Sequence, residues 1–430
     1  MSDLPRKLHE FLTDDELRSC EDIPDNQCKV LPGNFFKNVA NGTLSKLAER
    51  LIHPGLTLPW VLGAMGASSV WIGFLVPIKD GGSLLPQIFV AGTVRALSKR
   101  KWLWVAAAVV QSLCLALAGL VLLYLSHPLS TACFLTLFGL FSISSGVGSL
   151  AYKDVTAKTV PSGQRGAMLS YRALLGGLLA VPAGLGLIFY LGTQASTVSY
   201  AYLLFGTAGL WFLAALVFAS IREMAGATSG GRSPAKEIRA GLAILKEDSN
   251  FRRFMAVRAL LFALPLMLPY LSLMARSGSS SHGIGLLILV GGVAELVSSP
   301  FWGRFSDRAS QGLMMTVSLM GGVIGALALL GQWLLSDSLL FYASLVLIFV
   351  HSIAYSGARL ARKTYLVDYA PAEDRATYVS LANTFMGFFT LAASAFGGVA
   401  FFLGQSGQIA FLVILLLLCG ILAKGLRPPA

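Results

Sequence analysis

Charge is what this chain has least of. Asp, Glu, Lys and Arg make up 13% of its 430 residues, about half the ~25% usual in soluble proteins. A surface so poor in charge cannot be wetted all round, so most side chains must avoid water, and their backbones with them. In lipid only helices or closed barrels satisfy every backbone group. Histidine is scarce, with five residues, and the five cysteines (Cys20, Cys28, Cys114, Cys133, Cys419) are scattered. No zinc spacing, metal cage or disulfide framework follows from such a distribution. No secretory signal is expected within residues 1–30, which are mostly polar and lack an apolar core. No Ser/His/Asp constellation and no glycine-rich loop in a βαβ unit is present. No enzyme and no cofactor is expected.

What is there is apolar and continuous. Hydrophobic residues reach 55%, in runs of about 20 without alternation, the length of a transmembrane helix. The net charge of +12 would suit nucleic acid if it formed a patch. Threaded through twelve spans, the basic residues fall instead on one set of loops: Arg95, Lys99 to Lys101, Lys158 and Arg165, Arg222 to Arg253, Arg304 and Arg308, Arg362, Lys363 and Arg375, Lys424 and Arg427. The opposite loops hold only Arg276. That asymmetry is the positive-inside bias. It predicts an inner-membrane protein, multi-pass, with both termini cytoplasmic and no nucleic-acid partner.

The chain also repeats itself. Gly66-Ala-Ser-Ser recurs at Gly278-Ser-Ser-Ser, Gly92 at Gly303, and Ala151, Lys153, Pro161 and Arg165 at Ala361, Lys363, Pro371 and Arg375, all offset by 210–212 residues. Long internal duplication in an apolar chain points to paired membrane bundles with a site between them. The expected fold is all-α: twelve transmembrane helices in two pseudo-symmetric six-helix bundles. Residues 1–34 read as a cytoplasmic tail, 35–222 as the first bundle and 223–250 as a linker. An amphipathic helix with Ile238, Leu242 and Leu245 inward is expected in that linker. Residues 251–430 read as the second bundle. Hydropathy alone favours a first span over 56–78. The repeat overrides it, since Gly66 aligns with Gly278 after an unambiguous span, and places the first span near 40–64 with a tight loop at 66–68.

That register gives the first helix a stripe: Lys46, Glu49, Arg50 and His53, spaced i, i+3, i+4, i+7 on one face. Charges inside a bilayer are costly and usually face a cavity or a partner. At about 1.5 Å per residue, Asp80 on the second span and Glu295 on the eighth lie near the midplane. Lys79 adjoins Asp80, and Arg172 and Arg258 lie shallower. Asp80 or Glu295 is read as a proton carrier, or Asp80 as half of an ion pair with Lys79 or Arg172. Glu49, Arg50, His53 and Trp60 are read as cavity wall, with Arg172 and Arg258 as carboxylate binders or inter-helix salt bridges. His351 is read as a packed histidine. Pro54 and Pro59 are echoed by Pro265 and Pro269, predicting kinked first and seventh spans.

Gly303-Arg-Phe-Ser-Asp307-Arg308, and the altered copy Gly92-Thr-Val-Arg95 followed by Ala96 and Lys99-Arg100-Lys101, resemble a loop signature of the major facilitator superfamily. Its pattern is Gly-x-x-x-Asp-Arg-x-Gly-Arg-Lys. Pro161-Ser-Gly-Gln-Arg165-Gly166 and its twin ending in Arg375 resemble that family's Pro-x-x-x-Arg-Gly loop. The resemblance covers residues 40–426 and implies a monomeric secondary transporter for a small solute, working by alternating access. It also implies gating roles for Gly92, Arg95, Arg165, Gly303, Asp307, Arg308 and Arg375, while Lys153 and Asp154, one turn from the end of the fourth span, and Lys363, the repeat partner of Lys153, are read as gate residues from their position. Ala96 stands where the signature has its helix-capping Asp. Gly177 to Gly186 around Pro182 weakly resemble an export-linked helix and tilt the reading slightly toward efflux. The alternatives are a ligand sensor signalling through the N-terminal tail and a lipid flippase on the same scaffold.

Overall fold

A computed structural model describes residues 29–191, 196–225, 243–277, 283–371, 375–393 and 396–427. All regular structure among them is helical: α1 (Leu31–Leu51), α2 (Leu58–Ala64), α3 (Ser69–Gly73), α4 (Leu75–Ala96), α5 (Lys101–Tyr124), α6 (Leu129–Thr159), α7 (Ser162–Leu191) and α8 (Thr197–Ala219) form the first half. The second half comprises α9 (Ser249–Leu260), α10 (Ala263–Ser277), α11 (Gly283–Leu334), α12 (Asp337–Tyr369), α13 (Arg375–Ala392) and α14 (Phe396–Lys424).

These helices make twelve spans. α11 is two spans joined at Ala309, whose φ of −157° and ψ of 69° leave the helical region. α14 turns at Gly404, where φ is +68°, a left-handed value that glycine adopts without strain. The eleventh span therefore runs through α13 to that glycine and the twelfth follows it. The turn after the first span falls at Gly66, φ +84°, as the repeat required. The first helix reaches back to Leu31, with Pro32 in its first turn, where a missing N–H costs nothing. Of the expected amphipathic linker helix, Ile238 and Leu242 lie outside the described residues, while Leu245 packs on the core.

Eight helical segments are long and apolar enough to cross a membrane, and α11 before its kink and α13 add shorter apolar ones. The two spans left out are the first and second. The first carries Lys46, Glu49 and Arg50, and the second Lys79 and Asp80. Leu113, Leu117, Leu330, Val346 and Ile421 face outward. An apolar exterior of that extent fits lipid rather than water. Trp102 and Trp333 sit exposed at helix ends, suiting an interfacial belt.

The duplication is visible at single residues. Asn34, in the first turn of α1, donates Nδ2 to the Arg222 carbonyl at 3.0 Å and accepts from the Arg222 N–H at 3.0 Å. Asn250, in the first turn of α9, accepts from the Arg427 N–H at 3.0 Å. Its Nδ2 donates to Tyr365 Oη at 2.9 Å, and that hydroxyl donates to the Arg427 carbonyl at 2.9 Å. Each half is thus closed by an asparagine that ties its first helix to the chain leaving its last.

Candidate functional site

The site follows from how the first span breaks. Pro54 has no N–H to return to the Arg50 carbonyl, which accepts from the His53 N–H at 3.3 Å instead. The His53 carbonyl then gathers the N–H groups of Leu56, Thr57 and Leu58 at 3.1–3.2 Å, and α2 resumes at Leu58. The break frees the Leu56 carbonyl to accept from Ser272 Oγ of α10 at 2.7 Å. Alongside, Trp60 Nε1 donates to the Ser272 carbonyl at 3.0 Å. Residues 60 and 272 are repeat equivalents, so the halves meet here across their pseudo-twofold. Trp60 also lies against Gly283, where an added Cβ would collide with the indole. The seventh span breaks likewise at Leu261–Phe262, just ahead of Pro265.

Between these broken spans lies a cavity of about 310 Å³, within the ~300–1,000 Å³ usual for small-molecule sites. Its titratable lining is Lys46, Glu49, Arg50, His53, Lys79, Asp80, Glu295 and Arg359. Leu56, Val76, Leu268 and Ile288 supply apolar wall, and Ser352, Tyr355 and Ser356 supply hydroxyls. The seam is closed at its sides by α4 against α13, where Gly81 meets Leu391, and by α7 against α11, where Gly184 meets Gly285.

The structure gathers Glu49, Arg50, His53, Lys79, Asp80 and Glu295 around one space. Glu295 Oε2 accepts from Arg50 of the other half, and Oε1 accepts from Arg359 Nη2 at 3.1 Å. Lys46 pairs with Glu49 at 2.8 Å. Lys79 donates to Ser145 Oγ at 3.3 Å and stands 5.0 Å from the centroid of the Phe141 ring. It makes no ion pair with its neighbour Asp80. The Asp80 carboxylate has no cationic group within 4.0 Å among the described residues. Arg172 does not neutralise it either: its guanidinium bonds the Tyr152 hydroxyl and lies 4.4 Å over the Tyr152 ring.

Three residues singled out in the sequence stand away from the cavity lining. Trp60 seals the seam at the Gly66 end. Arg172 fills the space left by Gly42 between α1 and α7, where an added Cβ would collide with it. Arg258 donates to Asn383 Oδ1 at 2.9 Å. Neither arginine forms a carboxylate salt bridge among the described residues, because hydroxyl, ring and amide partners take that place. His351 is buried, with Nε2 3.0 Å from the Leu264 carbonyl.

The basic loops carry a second cluster. Asp154 pairs with Arg100 and, at 2.8 Å, with Lys158. It does not pair with Lys153, which is exposed, as is Lys363. Glu223, buried beyond the end of α8, accepts from the N–H groups of Arg100 and Lys101 at 3.0 and 2.7 Å and from Lys158 Nζ at 3.2 Å. A carboxylate at a helix N-terminus offsets the unpaired N–H groups there. Glu223 therefore caps α5, beside the loop in which Ala96 stands for the signature's Asp. Arg165 donates to the carbonyls of Val160 and Ala157 at 2.8 and 2.9 Å, closing the end of α6. The side chains of Arg95, Asp307, Arg308 and Arg375, and the surroundings of Gly92 and Gly303, lie outside the described residues.

Arg359, Ser352, Tyr355 and Ser356 were not singled out in the sequence. Their signal was available: the spacing 352, 355, 356, 359 is the same i, i+3, i+4, i+7 stripe found on the first span. Arg359 stood in a run with Arg362 and Lys363 that read as loop charge.

Twelve spans in two like halves about a polar cavity define a membrane transporter fold. That fold is the major facilitator superfamily's, and residues 249–430 match the family described as Major Facilitator Superfamily. Solved structures similar to this chain include a nucleoside transporter, with a TM-score of 0.71, 11% identity and coverage of 91% of this chain and 99% of that one. The xylose transporter of E. coli in an inward-open conformation gives 0.67 and 13%, covering 92% and 96%. A D-xylose–proton symporter gives 0.64 and 14%, also covering 92% and 96%. By sequence, uncharacterized proteins of Mycobacterium tuberculosis and Mycobacterium bovis are 26% identical over 400 residues, 86% of this chain and 72% of theirs.

Proposed function

We propose that this protein is a proton-coupled secondary transporter that moves a small solute across the inner membrane by alternating access. In this reading the basic end of the bundle is cytoplasmic, with both chain termini there, and the protein works as a monomer. The observation that carries it is Asp80: a carboxylate on the wall of the cavity between the halves, without a cationic partner within ion-pair distance among the described residues. Glu295, by contrast, is held by two arginines. A carboxylate without a fixed counter-charge in a low-dielectric cavity is the group whose charge state a conformational change alters most readily. The proton symporter among the solved structures of this fold supports the proton as coupling ion.

Among the described residues, Ser272 joins the halves toward the Gly66 end of Glu295 through its bonds with Trp60 and Leu56. Toward the basic end no hydrogen bond or ion pair joins the halves among the described residues beyond the Arg50–Glu295 contact. In this reading the contacts of Ser272 with Trp60 and Leu56 shut the cavity toward the outside. Pro182 and the glycines around it are what tilt the reading to export; the pH gradient that drives flux decides direction.

The test is flux in liposomes with an imposed pH gradient. Asp80→Asn is expected to abolish gradient-driven accumulation while leaving substrate exchange within about threefold of wild type, a difference under ~0.7 kcal/mol. Unchanged accumulation in Asp80→Asn would remove Asp80 from the coupling role.

A further inference from the structure

The Arg50–Glu295–Arg359 cluster carries more than a salt bridge. Each guanidinium has five donors in a planar fork suited to bidentate binding of a carboxylate or phosphate. Here each arginine gives Glu295 a single hydrogen bond, one to each carboxylate oxygen. Their remaining donors bond no other described residue. The side chains are not sealed in: Glu295 is 46% and Arg359 41% exposed, and Arg50 is 16% exposed. Gly292, without a side chain, leaves open the space beside the Arg50 fork; a Cβ there would come 3.5 Å from Nη1. Arg359 is further braced by Tyr355, whose ring centroid lies 5.4 Å from its guanidinium carbon.

Charge bookkeeping points the same way. The cavity lining holds Lys46, Arg50, Lys79 and Arg359 against Glu49, Asp80 and Glu295, and of these Lys46 pairs with Glu49. Two arginines facing one glutamate leave one positive charge over. Excess positive charge in a cavity between membrane-spanning helices favours a bound counter-charge, and the group that fits a guanidinium fork is an anion. Glu295 occupies that place with one donor from each arginine, as an internal stand-in for it. Beside the fork lie the hydroxyls of Ser352, Tyr355 and Ser356, and beyond them Leu56, Val76, Leu268 and Ile288.

We propose that the solute is a small organic anion, its carboxylate or phosphate received by Arg50 and Arg359 in place of Glu295. Its body lies on the apolar wall. Arg359 is the specificity-determining residue contributed by the second half and Arg50 by the first, so the ligand joins the halves through the contact that Glu295 now makes. The inference rests on the transport reading for its site, but binding is measured without flux or a proton gradient, so the two can fail separately.

The experiment is binding to the purified full-length protein in detergent at fixed pH and ionic strength. The probes are benzoate, phenyl phosphate and glycerol 3-phosphate, each against a neutral counterpart (benzamide, phenol, glycerol). Lysophosphatidic acid serves as the lipid arm. The expected result is saturable binding of a soluble anion and none of its neutral counterpart. Arg50→Gln and Arg359→Gln should each weaken it at least tenfold. Glu295→Gln should strengthen it severalfold, because the internal competitor loses its charge. The Arg359→Gln/Glu295→Gln double variant, with the same net charge as wild type, guards against misfolding in the singles and should still bind weakly.

Equal binding of neutral counterparts overturns the proposal, as does weaker binding in Glu295→Gln or no binding of any anion by wild type and Glu295→Gln. Binding of the lysophospholipid alone overturns the soluble solute and favours the flippase. Anion binding without pH-driven flux would leave this inference standing and sink the coupling.

Discussion

Trp60 shows how one side chain changes meaning between sequence and structure. In the sequence it is an aromatic in mid-span, and a cavity wall is a fair expectation. In the structure its indole closes the Gly66 end through one hydrogen bond to the Ser272 carbonyl. A net hydrogen bond contributes about 1 kcal/mol, roughly a fivefold bias in a two-state equilibrium. Trp60→Phe keeps the ring and loses the donor. A cysteine at Val76, in a background without native cysteines, should then label about fivefold faster with a membrane-impermeant maleimide from the Gly66 side. An unchanged rate would deny Trp60 a part in that seal. The stripe Lys46, Glu49, Arg50, His53 was legible because its spacing is local. The partners were not: that Arg50 meets Glu295, or that Lys79 turns to Ser145 and Phe141 rather than to Asp80, depends on how four helices cross.

Helix boundaries were legible wherever a turn residue marks them. Gly66 and Gly404 take left-handed backbone values, and the repeat had already aligned the first of these. The sequence reading placed the first span near 40–64, whereas α1 starts at Leu31 and carries Asn34, Asn38 and Asn41. All three are buried. Asn34 serves the Arg222 backbone and Asn41 donates to the Ala214 carbonyl at 2.9 Å. Polar residues in a buried helix end are a clamp here, and a clamp is invisible until its partner, 188 residues away, is in place. Asn34→Ala leaves the Arg222 backbone groups unpaired, and Asn250→Ala does the same to the Arg427 N–H. Each should cost about 1–3 kcal/mol, read as a lower melting temperature in detergent. The sites are in different halves, so the double variant should be additive within about 0.5 kcal/mol. A strongly non-additive loss would mean that the halves do not fold as separate units.

The two-bundle plan of the molecule was legible from the duplication, because like halves must pack about a shared axis. Which faces meet was not, since that is set by small residues whose role appears only on contact. Gly184 and Gly285 bring the backbones of α7 and α11 together near the Gly66 end: a Cβ on Gly285 would collide with the Gly184 carbonyl and with Ile188. Small residues permit such approaches in membranes. If the halves rock about the cavity, this contact must open and reclose on every cycle. Gly285→Val then acts as a wedge. Each helix keeps its own hydrogen bonds, so circular dichroism should match wild type, while the Gly66 end can no longer shut. Flux should fall at least about tenfold, ~1.4 kcal/mol against the closed state. The Val76 cysteine should become reactive from the Gly66 side and protected from the basic side. Labelling from the basic side as in wild type, with flux intact, would show that α7 and α11 do not form the moving joint, and the rocking plan would have to be redrawn around α4 and α13.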